Sequence, residues 1–392
     1  MAYWQNWSGR QSGKVKAVHF GRSYADIQAL VAELAQSGEH LRVAGAGHSH
    51  APLVVGADRV LDISGLAGVI STDSDRMTAR ICAGTPIFAL GAALHQSGMA
   101  LKNQGDIDRQ ILAGACATGT HGSGRYLQNL SASIESMTLI DGHGELRHCS
   151  RATEGEAFDA LKVGLGAFGV VVEIEMGLRP AFKLQEQGFE IDGNELTESL
   201  ADLESAHERF EFFWQPRQDK ALVKTMIETD AAPEYPIADE GSRCAWNYEV
   251  LPNHRPRLHT EMEYSISASD GPACFEEIRL LLMTEFTDVQ WPVEYRTLAA
   301  DKTWLSNAYE RDTVTISVHQ DVNEDETEYY RACEEIFDRY QGRPHWGKVH
   351  YLKADKLAAR YPKWEDWWAE RNRFDPQGIF LNEFLQSVQI QT

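Results

Sequence analysis

The spacing of apolar and polar residues predicts mixed helices and strands over the first 180 residues. Apolar residues recur at helical spacing over 27–34, after Ser23 and Asp26, which resemble a capping box. Thr85 and Pro86 are typical of a helix start, and the next helix is expected to close at Gly98. Short strands are predicted at 41–44, 59–64 and 77–84.

The remaining pattern predicts a hairpin, a second domain and a separate C-terminal segment. Two alternating runs flank a turn at 141–142, which is typical of a β-hairpin. The composition changes near Pro180, and longer mixed segments follow. We therefore predict domains at 1–179, 180–345 and 346–392. Within the last segment, the sequence predicts a Trp-rich helix, a turn and a short strand.

Composition and charge narrow the class of protein. The 392 residues are 43% apolar and 24% charged, which is ordinary for a globular chain, and the net charge is −21. Such an acidic surface repels nucleic acid and anionic lipid, so we expect neither as a partner. The six cysteines are scattered, and neither a signal peptide nor a membrane-length apolar run is recognised. The expectation is a cytoplasmic monomer or small homo-oligomer that handles a small molecule.

Two small-residue loops are candidates for binding one large ligand. In the first, VAGAGHSH (43–50), glycines let backbone N–H groups surround an anion. Three roles are open for His48: a structural imidazole, half of a metal site, or a bond to the bound ligand. A pair with His50 is disfavoured because alternate residues on extended backbone face opposite sides and no third ligand is near in sequence. No metal is predicted.

The second loop spans 111–124, ILAGACATGTHGSG, where small residues permit close backbone approach and hydroxyls add donors. A tightly packed buried turn is the alternative. A literal GxGxxG also occurs at 164–169, but a helical pattern precedes it and a strand pattern follows. This order is the reverse of a nicotinamide-binding fingerprint, so a helix-ending turn is favoured, and such a turn can still line a cofactor.

A dispersed polar set supplies candidate chemistry. Glu294 and Arg296 lie two residues apart on a predicted strand and therefore share a face. His319 and Lys348 follow in TISVHQ and HWGK. If that face lines a pocket, these residues are suited to binding vicinal hydroxyls. The alternative is a surface ion pair.

Several motifs together resemble the vanillyl-alcohol-oxidase type of FAD enzymes, in the branch of sugar-1,4-lactone oxidases and alditol oxidases. The motifs are NWSG, GAGHS, NQGDIDRQILAG, ATGTHGSG, HWGK and FDPQGIFLN, and they span nearly the whole chain. The resemblance implies an α+β fold, with an FAD domain of two subdomains and a cap domain built on a large antiparallel sheet. The C-terminal segment would return to the FAD domain.

The resemblance also implies FAD bound covalently, from the flavin 8α-methyl group to His48. Attachment would prevent cofactor loss and raise the flavin redox potential. The other residues implied in cofactor binding are Ala44, Gly45, Ala46, Gly47, Ser49, His50, Gly105, Asp106, Gly114, Ala117, Thr118, Gly119, His121, Gly122, Gly169 and Val170.

The implied reaction oxidises an alcohol carbon of a polyhydroxylated substrate by hydride transfer to flavin N5, after which oxygen yields hydrogen peroxide. Arg296 and Lys348 would orient substrate and stabilise charge, Glu294 would bind hydroxyls, and His319 would assist binding or proton transfer. Gly105 would leave a path for oxygen at the flavin edge, and a turn requirement before Asp106 is a compatible explanation of the same glycine.

The substrate class stays open at this stage. We favour an aldono-1,4-lactone of the D-arabinono type over an alditol such as xylitol or sorbitol. A dehydrogenase that passes electrons to a protein carrier is the alternative of a different class, since an acidic surface suits a basic partner. A carbohydrate-binding module without activity leaves the glycine loops unexplained.

Overall fold

The computed structural model describes residues 1–390, so the last two residues of the predicted segment 346–392 lie outside it. The first twelve strands, β1–β12, are Ala2–Gln5, Ser12–Val15, Ala17–Phe20, Leu41–Ala44, Arg59–Asp62, Val69–Asp73, Thr78–Cys82, Met99–Ala100, Ile134–Ile140, Leu146–Ser150, Val170–Gly177 and Arg179–Pro180. The next eight, β13–β20, are Lys183–Asp192, Arg209–Gln215, Lys220–Thr229, Cys244–Trp246, His259–Ser267, Val293–Leu298, Thr313–Asp321 and Arg343–Pro344.

The helices α1–α12 are Tyr24–Ser37, Ile87–His95, Leu112–Ala117, Arg151–Glu154, Phe158–Lys162, Gly193–Ala206, Asn247–Val250, Gly271–Thr284, Thr327–Arg339, Ala354–Arg360, Trp364–Phe374 and Glu383–Val388. None of the helices in the described residues is both long and apolar enough to cross a bilayer. All six cysteines are free thiols.

Three sheets carry the architecture. A parallel sheet has the order β3-β5-β4, and an antiparallel sheet has the order β10-β9-β11-β7-β6. The third sheet is antiparallel, with eight strands in the order β16-β13-β15-β14-β18-β19-β17-β20. The predicted α+β class with a large antiparallel sheet is therefore confirmed.

The eight-stranded sheet has two different faces because side chains alternate along each strand. On one face, Phe212 stacks on Tyr295 with ring centroids 4.9 Å apart, and helices α6, α8 and α9 cover this apolar side. The other face carries a row of buried ionisable side chains across six strands, which we call the charged row. Its members are Glu186, Lys224, Glu211, Glu294, Arg296, His319, His259, Glu261 and Glu263.

The C-terminal segment packs against the first part of the chain. Ile379 and Phe380 are buried in the core beside α1 and the parallel sheet, and Leu41 N–H donates to the Ile379 carbonyl at 2.8 Å. Earlier in the segment, Trp367 Nε1 donates to the Ala160 carbonyl at 3.1 Å. The C-terminal segment thus packs against β4, the strand that leads into the first glycine loop.

Most predicted elements are confirmed, and two details are wrong. Ser23 caps α1 through Asp26 N–H, and the hairpin β9–β10 forms as predicted. The helix expected from Thr85 is capped one residue later because the Thr85 hydroxyl bonds to Cys82 and Gly68.

The short strand expected after the FDPQG turn is instead helix α12. The Asn382 side chain accepts a hydrogen bond from Leu385 N–H at 3.1 Å, and this cap starts a helix where an apolar run indicated a strand.

Candidate active site

A first cavity runs between the two small-residue loops, and we call it the cofactor cavity. The first loop follows β4 and the second surrounds α3, while the GxGxxG turn forms a third wall. A Cβ at Gly45 would lie 2.3 Å from Ile111 Cγ1, so only glycine lets the two loops approach this closely. Gly47 has φ +68°, which turns the backbone toward the cavity.

The predicted residues that line this cavity are Ala44, Gly45, Ala46, Gly47, His48, Ser49, Gly114, Ala117, Thr118 and Gly169. An elongated, largely apolar cleft walled by glycine backbone suits a dinucleotide whose phosphates need N–H donors. The GxGxxG turn, whose Rossmann role the sequence argued against, does line the cleft, after helix α5 and before strand β11.

The N-terminal NWSG motif holds the His48 loop in place. Trp7 stacks on the His48 imidazole with centroids 5.3 Å apart, and Trp7 N–H donates to the Gly47 carbonyl at 2.8 Å. Asn6 Nδ2 donates to the Ser49 carbonyl at 2.9 Å. Burial, and then the charge of Lys348, lower the pKa of His48 to about 4. His48 is therefore neutral at pH 7, with one bare ring nitrogen, as a bond to an electrophilic carbon requires.

Seven predicted cofactor residues lie elsewhere. Gly105, Asp106 and His121 line a second cavity. Gly119 forms a turn with φ +76°, and Val170 is buried in the core. A Cβ at Gly122 would lie 2.1 Å from the Gln104 carbonyl, so this glycine serves loop packing. His50 is buried beside Glu261 at 3.9 Å. Their contact with the cofactor stays a prediction.

The second cavity has a volume of about 400 Å³, and we call it the substrate cavity. It lies between the loop at 105–121 and the polar face of the eight-stranded sheet. Both cavities share the lining residues Gln110, Thr120, His345 and Lys348. A molecule in one cavity can therefore contact a molecule in the other at this junction.

Glu294, Arg296, His319 and Lys348 all line the substrate cavity. Glu294 and Arg296 are 5% and 8% exposed, which excludes the surface ion pair considered above. The Arg296 guanidinium contacts Glu294, and its Nε donates to Glu211 Oε2 at 3.2 Å. Because Glu294 is buried and shares Arg296 with Glu211, its pKa is raised to about 8. The raised pKa favours the protonated form of Glu294, which can donate a hydrogen bond.

Lys348 and His319 meet at Glu261, a buried carboxylate of β17. Lys348 Nζ contacts Glu261 Oε2, and His319 Nε2 lies 3.7 Å from Oε1. His319 Nδ1 bonds to the Pro292 carbonyl at 2.9 Å, which can only accept, so Nδ1 carries the proton and Nε2 is bare. Burial lowers the pKa of His319 to about 4, and its neutral ring offers Nε2 as a proton acceptor.

His121 joins the second loop to the sheet. Its Nε2 is 2.8 Å from Glu263 Oε1 and its Nδ1 is 3.0 Å from the Gly122 carbonyl. Both partners are acceptors placed at hydrogen-bond distance from the ring. These contacts hold the loop that carries Thr120 at the junction of the two cavities.

Three groups of buried side chains bring possible metal ligands together: His50, His259 and Glu261; His121, Glu263 and His345; Glu261, Glu294 and His319. His50 has no third metal ligand near it in sequence, but in the folded structure His259 and Glu261 lie beside it. Glu261, however, already has Lys348 as its cation, and Glu263 has His121. We therefore assign these carboxylates to charge pairs.

Gly105 packs against the second loop. A Cβ there would lie 3.0 Å from the His121 carbonyl and 3.5 Å from Thr120 Cγ2, so a methyl group needs a shift of a few tenths of an ångström. Asp106, the next residue, bonds to Arg255 at 3.1 Å and to Asn253. The NQGD segment is thus tied to the loop that carries Arg255 into the substrate cavity.

Sequence reasoning missed part of the site, namely His259, Glu261, Glu263, His345, Glu211 and Lys224. The first three lie on β17, where HTEMEYS alternates polar and apolar residues. That alternation predicts a strand with one polar face, but only the pairing of β17 with β19 places this face in the cavity.

Comparison with known proteins supports an FAD enzyme. The FAD binding domain family matches residues 15–150, and the D-arabinono-1,4-lactone oxidase family matches residues 235–388. The chain is 34% identical to an L-gulono-1,4-lactone dehydrogenase from Mycobacterium tuberculosis, over 98% of both chains. It is 29% identical to an alditol oxidase from a Streptomyces species, again over 98% of both.

A solved structure of cholesterol oxidase from Brevibacterium sterolicum superposes with a TM-score of 0.88 at 16% identity, covering 99% of this chain and 97% of that one. At this identity the likeness shows the fold alone. Taken with the full-length relatives, it shows that the chain belongs to the vanillyl-alcohol-oxidase type family of FAD-dependent oxidoreductases, in the branch of sugar-lactone oxidoreductases and alditol oxidases.

Proposed function

We propose that the chain is an FAD-dependent oxidase of aldono-1,4-lactones, of the D-arabinono-1,4-lactone type, that uses oxygen and forms hydrogen peroxide. The observation that carries the proposal is the junction of the two cavities, where Lys348 and Thr120 face both the cofactor side and the charged row. We also propose that FAD is attached to His48, whose neutral imidazole lines the cofactor cavity.

In the proposed reaction, side chains of the substrate cavity bind the substrate, stabilise charge and accept a proton. Bound FAD supplies an acceptor for hydride. Arg296 and Lys348 provide positive charge that opposes the negative charge growing on the substrate oxygen. Protonated Glu294 binds a neighbouring hydroxyl as a donor, and His319 Nε2 accepts the hydroxyl proton. Glu261, 3.7 Å away, stabilises the imidazolium that results.

The charge balance of the substrate cavity supports a neutral substrate. Each ionised carboxylate that lines it is paired: Asp106 and Glu240 with Arg255, Glu261 with Lys348 and Glu263 with His121. A carboxylate substrate would therefore find Arg255 and Lys348 already engaged and Arg296 shared by Glu294 and Glu211, whereas a polyhydroxylated lactone meets both donors and acceptors. This favours the lactone over the open-chain aldonate.

We also propose a division of the chain into an FAD domain, a cap and a returning segment. The FAD domain is assigned to 1–179, the cap to 180–345 and the returning segment to 346–392. All eight strands of the large sheet fall between Lys183 and Pro344, which supports the cap boundaries.

A sugar-lactone dehydrogenase is the second candidate. A Cβ at Gly105 would point toward the His121 carbonyl, so loop packing also accounts for this glycine and an oxygen path is not required to explain it. A full-length relative is also named a dehydrogenase.

A substrate panel separates these functions. Purified protein is assayed for peroxide and for reduction of an artificial acceptor, with D-arabinono- and L-gulono-1,4-lactone beside xylitol and sorbitol. The proposal expects peroxide with a lactone. Acceptor reduction without peroxide would identify a dehydrogenase, and activity with alditols alone would identify an alditol oxidase.

A further inference from the structure

Arg42 is a buried cation in the wall of the cofactor cavity. It lies on β4, directly before the first glycine loop, and is 2% exposed. Its guanidinium donates to backbone carbonyls of three separate segments, at 2.5 Å to Leu53, 3.1 Å to Gly166 and 2.5 Å to Phe380. It therefore clamps the segment that follows the first loop, the GxGxxG turn and the C-terminal segment together.

The charge of Arg42 has no carboxylate partner within salt-bridge distance among residues 1–390. The acid whose charge acts on it, Asp375, is engaged by Arg371 and by the Ile379 and Phe380 N–H groups. Burial, and then Arg371, lower the pKa of Arg42 to about 9, so the side chain stays charged at neutral pH. A buried charge that has only carbonyl dipoles around it is costly.

We propose that Arg42 is the counter-charge for the pyrophosphate of FAD and a positioning residue for the cofactor cavity. An anion in this cavity cancels a charge that the protein leaves unpaired, and the low dielectric of a buried wall strengthens that attraction. FAD binding follows from the family to which the chain belongs. This role of Arg42 therefore does not depend on which substrate or electron acceptor the enzyme uses.

The alternative is a purely structural clamp, and the chain offers a matched control for it. Arg343 is also buried, at 8% exposure, and donates to carbonyls of Arg360 at 2.9 Å and Tyr309 at 2.7 Å. It does not line the cofactor cavity. Loss of Arg343 removes a carbonyl clamp without removing a charge from that wall.

The test uses a His48→Ala background, in which flavin exchanges whether or not the parent holds it covalently. Dissociation constants for FAD and for riboflavin, which lacks phosphate, are measured by flavin fluorescence in Arg42→Gln, Arg42→Lys and Arg343→Gln. Arg42→Gln keeps amide donors but no charge. We expect it to weaken FAD binding by about 30-fold or more and riboflavin binding by less than about threefold.

Arg42→Lys should keep most of the preference for FAD over riboflavin, and Arg343→Gln should keep all of it. Equal weakening of both flavins in Arg42→Gln, or the same loss of preference in Arg343→Gln, would overturn the proposal. If Arg42→Gln does not fold, the lysine variant decides: a preference for FAD within about threefold of the parent supports the counter-charge, and a tenfold or greater loss contradicts it.

Discussion

The cofactor cavity and the substrate cavity differ in the chemical groups that line them. The cofactor cavity is walled by backbone from loops of small residues, and Gly45 is needed because a Cβ would collide with Ile111. The substrate cavity is walled by long charged side chains from regular strands, such as Glu294 and Arg296 of β18. The first can bind a large ligand of fixed shape, whereas the second can recognise hydroxyls and respond to charge that develops during a reaction.

This difference decides what a substitution does in each place. In the cofactor cavity, an added side chain displaces a loop, so the damage is steric. In the substrate cavity, a lost side chain leaves its partner as an unpaired buried charge, which is more harmful than the loss of one contact. Substitutions of the second kind should therefore have the larger effects on rate.

The largest effect is expected for Lys348→Met. The change removes the cation at the junction and leaves Glu261 ionised and unpaired. We predict a fall in kcat of roughly 10²–10³-fold, as for loss of one preorganised oxyanion donor. Steady-state kinetics with the best substrate of the panel measure it. Exposed Lys353→Met is the control and should match wild type. A Lys348 variant within about threefold of wild type would show that this charge plays no part in the reaction.

A substitution in the other cavity, His48→Ala, should affect attachment more than folding. The variant is expected to fold, to bind FAD loosely and to turn over on the order of tenfold more slowly, since attachment raises the flavin potential and that advantage is lost. Acid-precipitated wild-type protein should stay yellow and carry the flavin mass on a peptide that spans residue 48. Release of all flavin from mature wild-type protein would contradict the covalent link.

Gly105→Ala tests the boundary between the cavities. If Gly105 leaves the proposed path for oxygen, a methyl group there narrows it, so we expect reoxidation of the flavin by oxygen to slow by several-fold while its reduction by substrate changes little. The contact of that methyl group with the His121 carbonyl would instead shift the loop and affect both half-reactions. Stopped-flow measurements follow each half-reaction separately. If both slow equally, Gly105 shapes the loop and does not control oxygen access.

Much of this arrangement is visible in the sequence because it is local. The spacing of Gly45, Gly47 and His48 predicts a loop suited to binding an anion. Strand periodicity likewise predicts that Glu294 and Arg296 share a face. Glu261 could not be placed in the same way. Its neighbours His319 and Lys348 come from other strands and loops, and only the register of β17 against β19 brings them together.

The smallest effect is expected for Glu294→Gln, through its pH dependence. The folded protein raises the pKa of Glu294 from 4.5 to about 8, so the stability contributed by the protonated form is full below pH 4.5, falls as the pH rises toward 8 and is lost above it. Wild-type kcat/KM should fall above that pH as a negative charge appears beside the substrate oxygen. The glutamine variant stays neutral, so its kcat/KM should lie within about threefold of the wild-type value at pH 7. The fall in kcat/KM above pH 8, which is the upper limb of the pH profile, should be absent in this variant.

If the glutamine variant shows an unchanged upper limb, that limb belongs to another group. If it is strongly impaired at pH 7, the ionised carboxylate is the form that works. Either result would remove the protonated Glu294 from the mechanism, while the unfolding midpoint measured against pH would still report whether its pKa is raised.

The central claim is that the charged row of the eight-stranded sheet acts on the alcohol beside the flavin, and Arg296→Lys tests it most directly. Anaerobic stopped-flow measures flavin reduction by substrate at equal FAD content. Because lysine keeps the charge but lacks the planar fork shared by Glu294 and Glu211, we predict a loss of about tenfold or more in the second-order reduction rate, equivalent to ~1.4 kcal/mol. An unchanged reduction rate would contradict the account.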